Sequence, residues 1–301
     1  MVSSTTCPRL TNDDYPALYT IADATSRLGQ RNYLRLAKVD LLLLVAGATL
    51  GVIGAHVPST FAKWPLAGST ILLAATLIVR SANKTIGFDH DWFDGRVVAE
   101  AVKTATWQYA MRVQPFDRDD PAAEAQFLGL LRQILDAHQD LRPAPAGLPA
   151  DVYEISARVR QLRGLSLPER KACYLQQRVL DQITWYATRS EQKRRVALRW
   201  FWAELLARGV AFASAIVVLV EPPNVPNFAG LVAALAAAIT AWSQLGRNDE
   251  LSKSYGLAAH ELIMLRSALD TANDDQQFGQ VVMNIETALS REHGTWLAKY
   301  T

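Results

Sequence analysis

The sequence predicts an all-α membrane protein in which four transmembrane helices form two hairpins. Each span is a run of mostly apolar residues, close to the roughly 20 residues with which a helix crosses a bilayer. The four runs are 41–57, 64–79, 205–220 and 226–243. Tryptophans lie near their ends, where an indole N–H can stay in the headgroup region. A buried hairpin in a soluble helical protein is the alternative interpretation of such runs.

The charges around the runs favour the membrane interpretation and predict an orientation. Basic residues precede the first and third spans and follow the second and fourth, whereas the two proline-containing turns hold only Lys63 and Glu221. Cytoplasmic loops of membrane proteins carry such an excess of Lys and Arg. We therefore expect the N-terminus, the long middle segment and the C-terminus on the cytoplasmic side, as a helical bundle, and both turns outside.

The polar segments predict helices that extend from the spans. We expect a helix over 90–113 that continues from the second span, and a helix that Asp120 caps and that runs to about Leu141. The proline-rich segment 142–149 then breaks the chain. Further helices are expected at 150–163, from about Pro168 into the third span, at 245–271 and at 276–299.

The two halves of the chain repeat one order of elements: a basic approach helix, a span, a turn, a second span and a polar exit helix. Gly95 and Glu100 stand five residues apart in GRVVAE, as do Gly256 and Glu261 in GLAAHE. The repeat indicates a duplicated two-span module. We place an N-terminal module at 1–142, a linker at 143–167 and a C-terminal module at 168–301.

Composition and cysteine content argue against several classes of function. The net charge of +2 is too small to predict binding of duplex nucleic acid. Cys7 and Cys173 show no paired spacing, so we expect no disulfide, no zinc site and a reducing compartment around the soluble parts. Asp13 and Asp14 interrupt the N-terminal segment, and no signal peptide is expected.

Polar residues inside the spans are candidates for a pore. Arg208 lies one helical turn after Glu204 and can pair with it, which would let the side chain reach the headgroups. Alternatively, Arg208 faces a water-filled mouth and sets charge selectivity. Thr70 and Thr76 in the second span are weaker candidates for pore lining.

Small residues on two spans predict close helix packing. Gly47 and Gly51 share one face of the first span, and Gly230 and Ala234 share one face of the fourth. These faces could pack within the chain or between chains. Because four spans alone make a poor channel, a conducting path would need a homo-oligomer such as a tetramer in the lipid bilayer.

A basic cluster ahead of the third span could receive a nucleotide. Guanidinium groups bind phosphates and aromatic rings stack on bases. The alternative is that the same charges set topology and contact lipid. The candidates are Trp185, Tyr186, Arg189, Lys193, Arg194, Arg195 and Arg199.

The sequence does not predict an enzyme. His90 and Asp94 share a helical face and could in principle bind a metal, but an acidic helix start explains the acidic segment more simply. His293 beside Glu292 could act as a base, yet no nucleophile or Gly-rich phosphate loop accompanies it. We expect no catalytic residue, no metal and no cofactor.

Three segments resemble a known family. FGQVVMNIETALSREHGTWLAK at the C-terminus resembles the ending of one subfamily of SLATT domains, the SMODS- and SLOG-associating two-transmembrane effectors. AWSQLGRNDELSKSYGLAAHEL resembles the segment after that subfamily's second span, and WFDGRVVAEAVKTATWQYAMRVQPFD is similar to a second SLATT subfamily. The signature residues, which we expect to be architectural, are Ser290, Arg291, Glu292, His293 and Trp296.

The resemblance implies a pore-forming effector of a bacterial anti-phage conflict system in the inner membrane. It also implies gating by a nucleotide or oligonucleotide that a nucleotidyltransferase makes, with depolarisation or permeabilisation as the outcome. An alternative from another class is a non-conducting membrane scaffold that recruits a cytoplasmic partner.

Overall fold

The computed structural model of the protein describes residues 7–139, 141, 153–220 and 228–297, and within them every regular element is helical. The α-helices are α1 (Ala17–His56), α2 (Ser59–Ile86), α3 (Phe88–Ala110), α4 (Asp120–Ala137), α5 (Ala157–Arg163), α6 (Leu167–Tyr174), α7 (Leu180–Val220), α8 (Ala229–Gly246), α9 (Asn248–Thr271) and α10 (Asp275–Leu297). A π-helical segment, Leu175–Val179, joins α6 to α7. The predicted all-α class is confirmed.

Four stretches of helix are long and apolar enough to cross a membrane, as predicted. They are Ala17–His56, Ser59–Ala110, Leu167–Val220 and Ala229–Thr271. In the apolar window of each stretch, no more than 11% of the residues are buried inside the protein. Lipid or another protein chain must therefore cover these surfaces. The second turn, at 221–227, lies outside the described residues.

Each hairpin has a break in the helix at its exit, and the first of these breaks lies where the sequence predicted a continuous helix. Gly87 ends α2 and Arg247 ends α8, and both residues adopt the left-handed conformation, with φ of 74° and 41°. Glycine accepts this conformation without strain. The two breaks occupy equivalent places in the two halves of the chain, which supports the internal repeat.

The chain folds as two compact units, and successive segments of the sequence belong to one unit and then to the other. The first, which we call the packed unit, comprises Met1–Gln30, Asp89–Ser190 and Lys253–Thr301. The second, the membrane unit, comprises Arg31–Phe88 and Glu191–Ser252. Each unit thus contains segments from both halves of the sequence.

The core of the packed unit is largely aromatic. The rings of Tyr109, Phe116 and Phe127 lie with their centroids 5.0–5.9 Å apart. Tyr174 packs edge-on against Trp107 on one side and Phe278 on the other. Aromatic pairs at such distances add to the stability that burial provides.

The repeated glycines pack the exit helices against the approach helices. A Cβ atom on Gly95 of α3 would lie 2.7 Å from the carbonyl oxygen of Ala22 and 2.8 Å from the amide nitrogen of Ser26, both in α1. A Cβ atom on Gly256 of α9 would lie 3.3 Å from Oγ of Ser190 in α7. The first contact is with backbone and leaves no room for a side chain.

Asp120 does not cap α4, contrary to the prediction. Asp119 holds the cap position, and Asp120 is already the first residue of the helix. The Asp120 carboxylate instead accepts a hydrogen bond of 2.8 Å from Nε of Arg163, whose side chain is buried. Burial of the guanidinium makes this ionic partner more favourable than a backbone amide at the helix start.

Cys7 and Cys173 form a disulfide, so the prediction that they stay unpaired is wrong. The two residues are 166 positions apart, and spacing along the chain carries no signal for such a pair. The bond fastens the residues before α1 to the end of α6. Cysteine usage therefore no longer argues for a reducing compartment around the packed unit.

Candidate functional site

Arg208 in α7 is the charged residue set deepest into a predicted span. Its Nη2 donates to Oε2 of Glu204 at 2.9 Å and, at 3.5 Å, to Oγ1 of Thr240 in α8. The Arg208 side chain is 62% exposed, whereas that of Glu204 is 19% exposed. The exposed charge of this ion pair is therefore mainly the positive charge of Arg208.

The surroundings of Arg208 are apolar. Leu205, Leu206 and Val210 on neighbouring positions of α7 are exposed, as is Phe212 one turn further on. A guanidinium at this depth is costly against lipid tails unless it reaches the headgroups or faces water or protein. Hydrogen bonds to Glu204 and Thr240 thus hold the guanidinium of Arg208 in place, while the rest of its side-chain surface is not covered by the described residues.

Three other polar residues of the membrane unit, Thr70, Thr76 and Asp40, form hydrogen bonds within it. Thr76 is buried and Thr70 is exposed, and each hydroxyl donates to a carbonyl oxygen of its own helix. Asp40 is buried and its Oδ2 accepts a 2.9 Å hydrogen bond from Nε of Arg80. This ion pair joins α1 to α2 at the base of the first hairpin.

The two small-residue faces differ in what they contact. Ser69 of α2 packs against the first: its Oγ lies 2.7 Å from the carbonyl oxygen of Gly47 and 3.3 Å from the place of a Cβ on Gly51. On α8, by contrast, a Cβ on Gly230 would meet nothing within 4 Å among the described atoms. The first face thus packs inside the chain, and the Gly230 end of the second is open.

The aromatic part of the predicted nucleotide cluster lies in the packed unit. The ring centroids of Trp185 and Tyr186 lie 5.4 and 5.7 Å from that of Tyr255. The guanidinium of Arg189 lies 5.8 Å from the Trp185 ring. A base could stack on these rings only by displacing Tyr255 or Arg189.

The remaining basic residues of that cluster belong to the membrane unit. Glu191 accepts from Nε of Arg194 at 2.9 Å and from Nε of Arg195 at 2.8 Å, and Lys193 donates to Asn248 at 3.0 Å. Arg199 is exposed. Part of the positive charge predicted to meet a phosphate is thus balanced by Glu191.

The packed unit contains a buried polar network that the sequence did not predict. Glu286 of α10 accepts from Nε and Nη2 of Arg178 at 2.9 and 2.7 Å, from Tyr174 at 3.0 Å and from Thr104 at 2.9 Å. Burial and the neighbouring Glu286 raise the pKa of Tyr174 well above its usual value. Burial alone would lower the pKa of Arg178, but the charge of Glu286 outweighs burial and raises it.

One feature of the sequence points to the Glu286 end of this network, though not to its partner. Glu286 stands on the same face of α10 as the buried Phe278, Val282 and Leu289, so a charged residue interrupts an apolar stripe. Arg178 lies in the π-helical segment, and such segments are frequent at functional sites.

The family-signature residues lie at the end of α10. Ser290 is exposed, one turn after Glu286. Arg291, Glu292, His293 and Trp296 lie in the same helix, and their side chains fall outside the described part of the structure.

The fold and these sites define a multi-pass, all-helical membrane protein with a helical unit packed around a buried ion pair. Residues 16–171 match the model for SMODS and SLOG-associating 2TM effector domain 3, and residues 174–296 match that for SMODS and SLOG-associating 2TM effector domain 1. The chain belongs to the SLATT family and carries two of its domains in tandem, as the resemblance predicted. No curated protein and no solved structure matches it. SLATT domains are membrane effector domains associated with conflict systems, and they are not known as enzymes.

Proposed function

We propose that this protein is a pore-forming effector of a bacterial anti-phage conflict system, which assembles as a homo-oligomer and permeabilises the inner membrane. The observation that carries the proposal is Arg208, a cation held in a span by Glu204 and open on its other side. An open charge in an apolar surface is favourable where water or a second polar surface meets it.

Assembly of several copies would supply that environment. The four spans are almost wholly unburied, so apolar area remains for contacts between subunits. The open surface at Gly230 allows another backbone to approach α8 closely. Around a symmetry axis, such contacts would place one Arg208 from each subunit beside a common path.

Continuous helices offer a route for gating. Helix α1 and helix α7 each run without interruption from residues of the packed unit into residues of the membrane unit. A ligand that changes the packed unit, such as a nucleotide made by a neighbouring nucleotidyltransferase, would act on the spans through these helices. We propose cytoplasmic termini for this arrangement, on the strength of the positive charges beside the spans.

Ion flux from liposomes tests the proposal. The purified full chain is reconstituted into vesicles loaded with a chloride-sensitive dye, together with Arg208→Gln and the matched control Arg27→Gln. Arg27 pairs with Asp23 four residues before it in α1, as Arg208 pairs with Glu204, but it lies ahead of the apolar run. We expect flux from the wild type and the control, and a changed rate for Arg208→Gln.

Chemical cross-linking in the same vesicles reports assembly. A ladder that ends at one defined oligomer supports the pore. Inserted protein that stays monomeric and passes no ions with or without nucleotides would contradict it and favour the membrane scaffold.

A further inference from the structure

The packed unit contains a cavity of about 470 Å³. The residues before α1 form one wall, α3 forms a second, and the π-helical segment with the start of α7 forms a third. Its volume falls in the range of pockets that bind small molecules, about 300–1,000 Å³. Its lining is mostly polar, which favours a ligand that is charged or rich in hydrogen-bonding groups.

The charges of the cavity favour an anion. Arg9 and Lys103 line it, and neither forms an ion pair with a carboxylate in the described parts of the chain. Arg178 also lines the cavity, but Glu286 neutralises it. Asp181 is the single acidic residue among those that line the cavity in the described structure. Two cations therefore face one carboxylate.

Lys103 is held in an unfavourable environment. It projects from α3 beside Trp107 and Tyr15, both buried. Burial, followed by the nearby Arg178, lowers the pKa of Lys103. An anion in the cavity would stabilise the ammonium group and remove this penalty.

Side-chain amides complete the cavity. Gln176 and Gln182 line it, and their amides make no hydrogen bond within the described residues. An unused amide offers two donors and an acceptor to a ligand. These groups can bind the part of the ligand that carries no charge.

The wall that carries Arg9 is fastened to the rest of the unit. The disulfide from Cys7 to Cys173 holds its start. The Gln177 side chain then accepts from the amide of Leu10 and donates to the carbonyl oxygen of Pro8, both at 3.0 Å. Arg9 lies between these two attachments, so its backbone has a fixed place at the cavity.

We propose that this cavity binds a small phosphorylated molecule, with its phosphate between Arg9 and Lys103 and the remainder against Gln176 and Gln182. Charge-assisted hydrogen bonds from both cations would provide most of the affinity. The binding itself stands on the cavity alone, and its role as the gating site rests on the proposed function.

Affinity labelling with pyridoxal 5′-phosphate tests the site directly in the full chain in nanodiscs. The aldehyde carbon bonds to the neutral Nζ of Lys103 and water leaves, which gives an imine. Borohydride then delivers hydride to the imine carbon and a proton from water protonates the nitrogen, which gives a stable secondary amine. Mass spectrometry locates the modified lysines, and Lys171, in the same unit but outside the cavity, serves as the internal control.

We expect the ratio of labelling at Lys103 to labelling at Lys171 to be about fivefold or more higher with pyridoxal phosphate than with pyridoxal, because one charge-assisted contact is worth at least that factor. Inorganic pyrophosphate at millimolar concentration should protect Lys103 but not Lys171. Arg9→Gln should reduce the labelling of Lys103 several-fold, whereas Arg132→Gln, an exposed arginine of α4 away from the cavity, should not. An equal Lys103-to-Lys171 ratio with the two aldehydes, or no protection, would overturn the site.

The lipid of the nanodisc distinguishes a soluble ligand from a headgroup. Equal labelling in phosphatidylcholine and phosphatidylglycerol discs is expected. Suppression by phosphatidylglycerol alone would assign the cavity to lipid phosphate and overturn the proposal. Because no current is measured, a loss of labelling and a loss of ion flux are separate results, and the failure of one proposal is distinguishable from failure of the other.

Discussion

Arg178 and Glu286 form an ion pair that water does not reach, since the two residues are 2% and 0% exposed. Both carboxylate oxygens accept from the guanidinium, and Tyr174 and Thr104 each donate one further bond. The network joins α3, α6, the π-helical segment and α10. It therefore fixes the positions of helices from both halves of the chain relative to one another within the packed unit.

Removal of one partner of this pair should destabilise the protein strongly. Glu286→Ala leaves the Arg178 charge buried without compensation, which costs about 3–5 kcal/mol. Thermal unfolding in detergent, followed by tryptophan fluorescence, measures the effect. Asp136→Asn, an exposed carboxylate of α4, is the control and should change stability by no more than about 0.5 kcal/mol. The double variant Arg178→Met with Glu286→Leu should recover much of the loss, and a double variant as unstable as Glu286→Ala would contradict this explanation.

Of three glycine-to-alanine variants, two should lower the stability of the protein and one should raise it. Gly95→Ala places a Cβ against the α1 backbone and should cost more than about 1 kcal/mol, as overpacking does. Gly256→Ala meets the Ser190 hydroxyl and should be milder. Gly129→Ala meets nothing within 4 Å in α4 and should stabilise by about 0.5–1 kcal/mol. Melting temperatures in that order support the close crossing of α1 and α3, and a neutral Gly95→Ala would refute it.

The stability of the packed unit should depend on pH through Asp14. Burial would raise the pKa of Asp14, but hydrogen bonds from Thr11 and Arg158 outweigh burial and lower it. A lowered pKa stabilises the fold above the unfolded-state value of about 4, and this stability is lost as pH falls through the folded value. Asp14→Asn should therefore be less stable than the wild type at pH 7 by about 1–3 kcal/mol, with a gap that narrows below about pH 4.

Denaturation curves at several pH values test this dependence. Asp13→Asn is the matched control, since Asp13 is the exposed neighbour of Asp14. The control should follow the wild type at every pH. A gap between Asp14→Asn and the wild type that does not change with pH would contradict the role of the Asp14 charge.

The cysteines should report the orientation of the packed unit. Non-reducing peptide mapping of oxidised protein should find Cys7 joined to Cys173, and Cys173→Ser should lower stability by about 2–5 kcal/mol under oxidising conditions. Disulfides persist in oxidising compartments and are rare in the cytosol. Cytoplasmic termini thus predict that the Cys7–Cys173 bond forms only when the protein is oxidised, and that growing cells hold both residues as free thiols, which N-ethylmaleimide blocks before lysis. A disulfide already complete in unstressed cells would place the packed unit outside the cytoplasm.

Much of the fold could be predicted because its causes are local. Apolar runs indicate the spans directly. GRVVAE and GLAAHE indicate the repeat because Gly95 and Gly256 each lie where an exit helix packs against an approach helix. The left-handed break at Arg247 could not be predicted, since arginine is not a residue type that signals such a conformation.

The polar contacts of the packed unit could not be predicted because they join distant parts of the chain. Arg178 and Glu286 are 108 residues apart, and no spacing along the chain links them. The sequence around Asp120 is typical of a helix cap, but the carboxylate binds the buried Arg163, which is 43 residues away in the sequence. The cations at the cavity, Arg9 and Lys103, likewise come together only through the tertiary fold.

The reversal potential of single channels in planar bilayers, under a potassium chloride gradient, tests the central claim most directly. Arg208 is more exposed than Glu204, so ions at a shared path would meet a positive charge. We predict an anion preference for the wild type, a weaker one for Arg208→Gln and a reversed one for Arg208→Glu. Verified insertion without current, or one selectivity shared by all three proteins, would contradict the account.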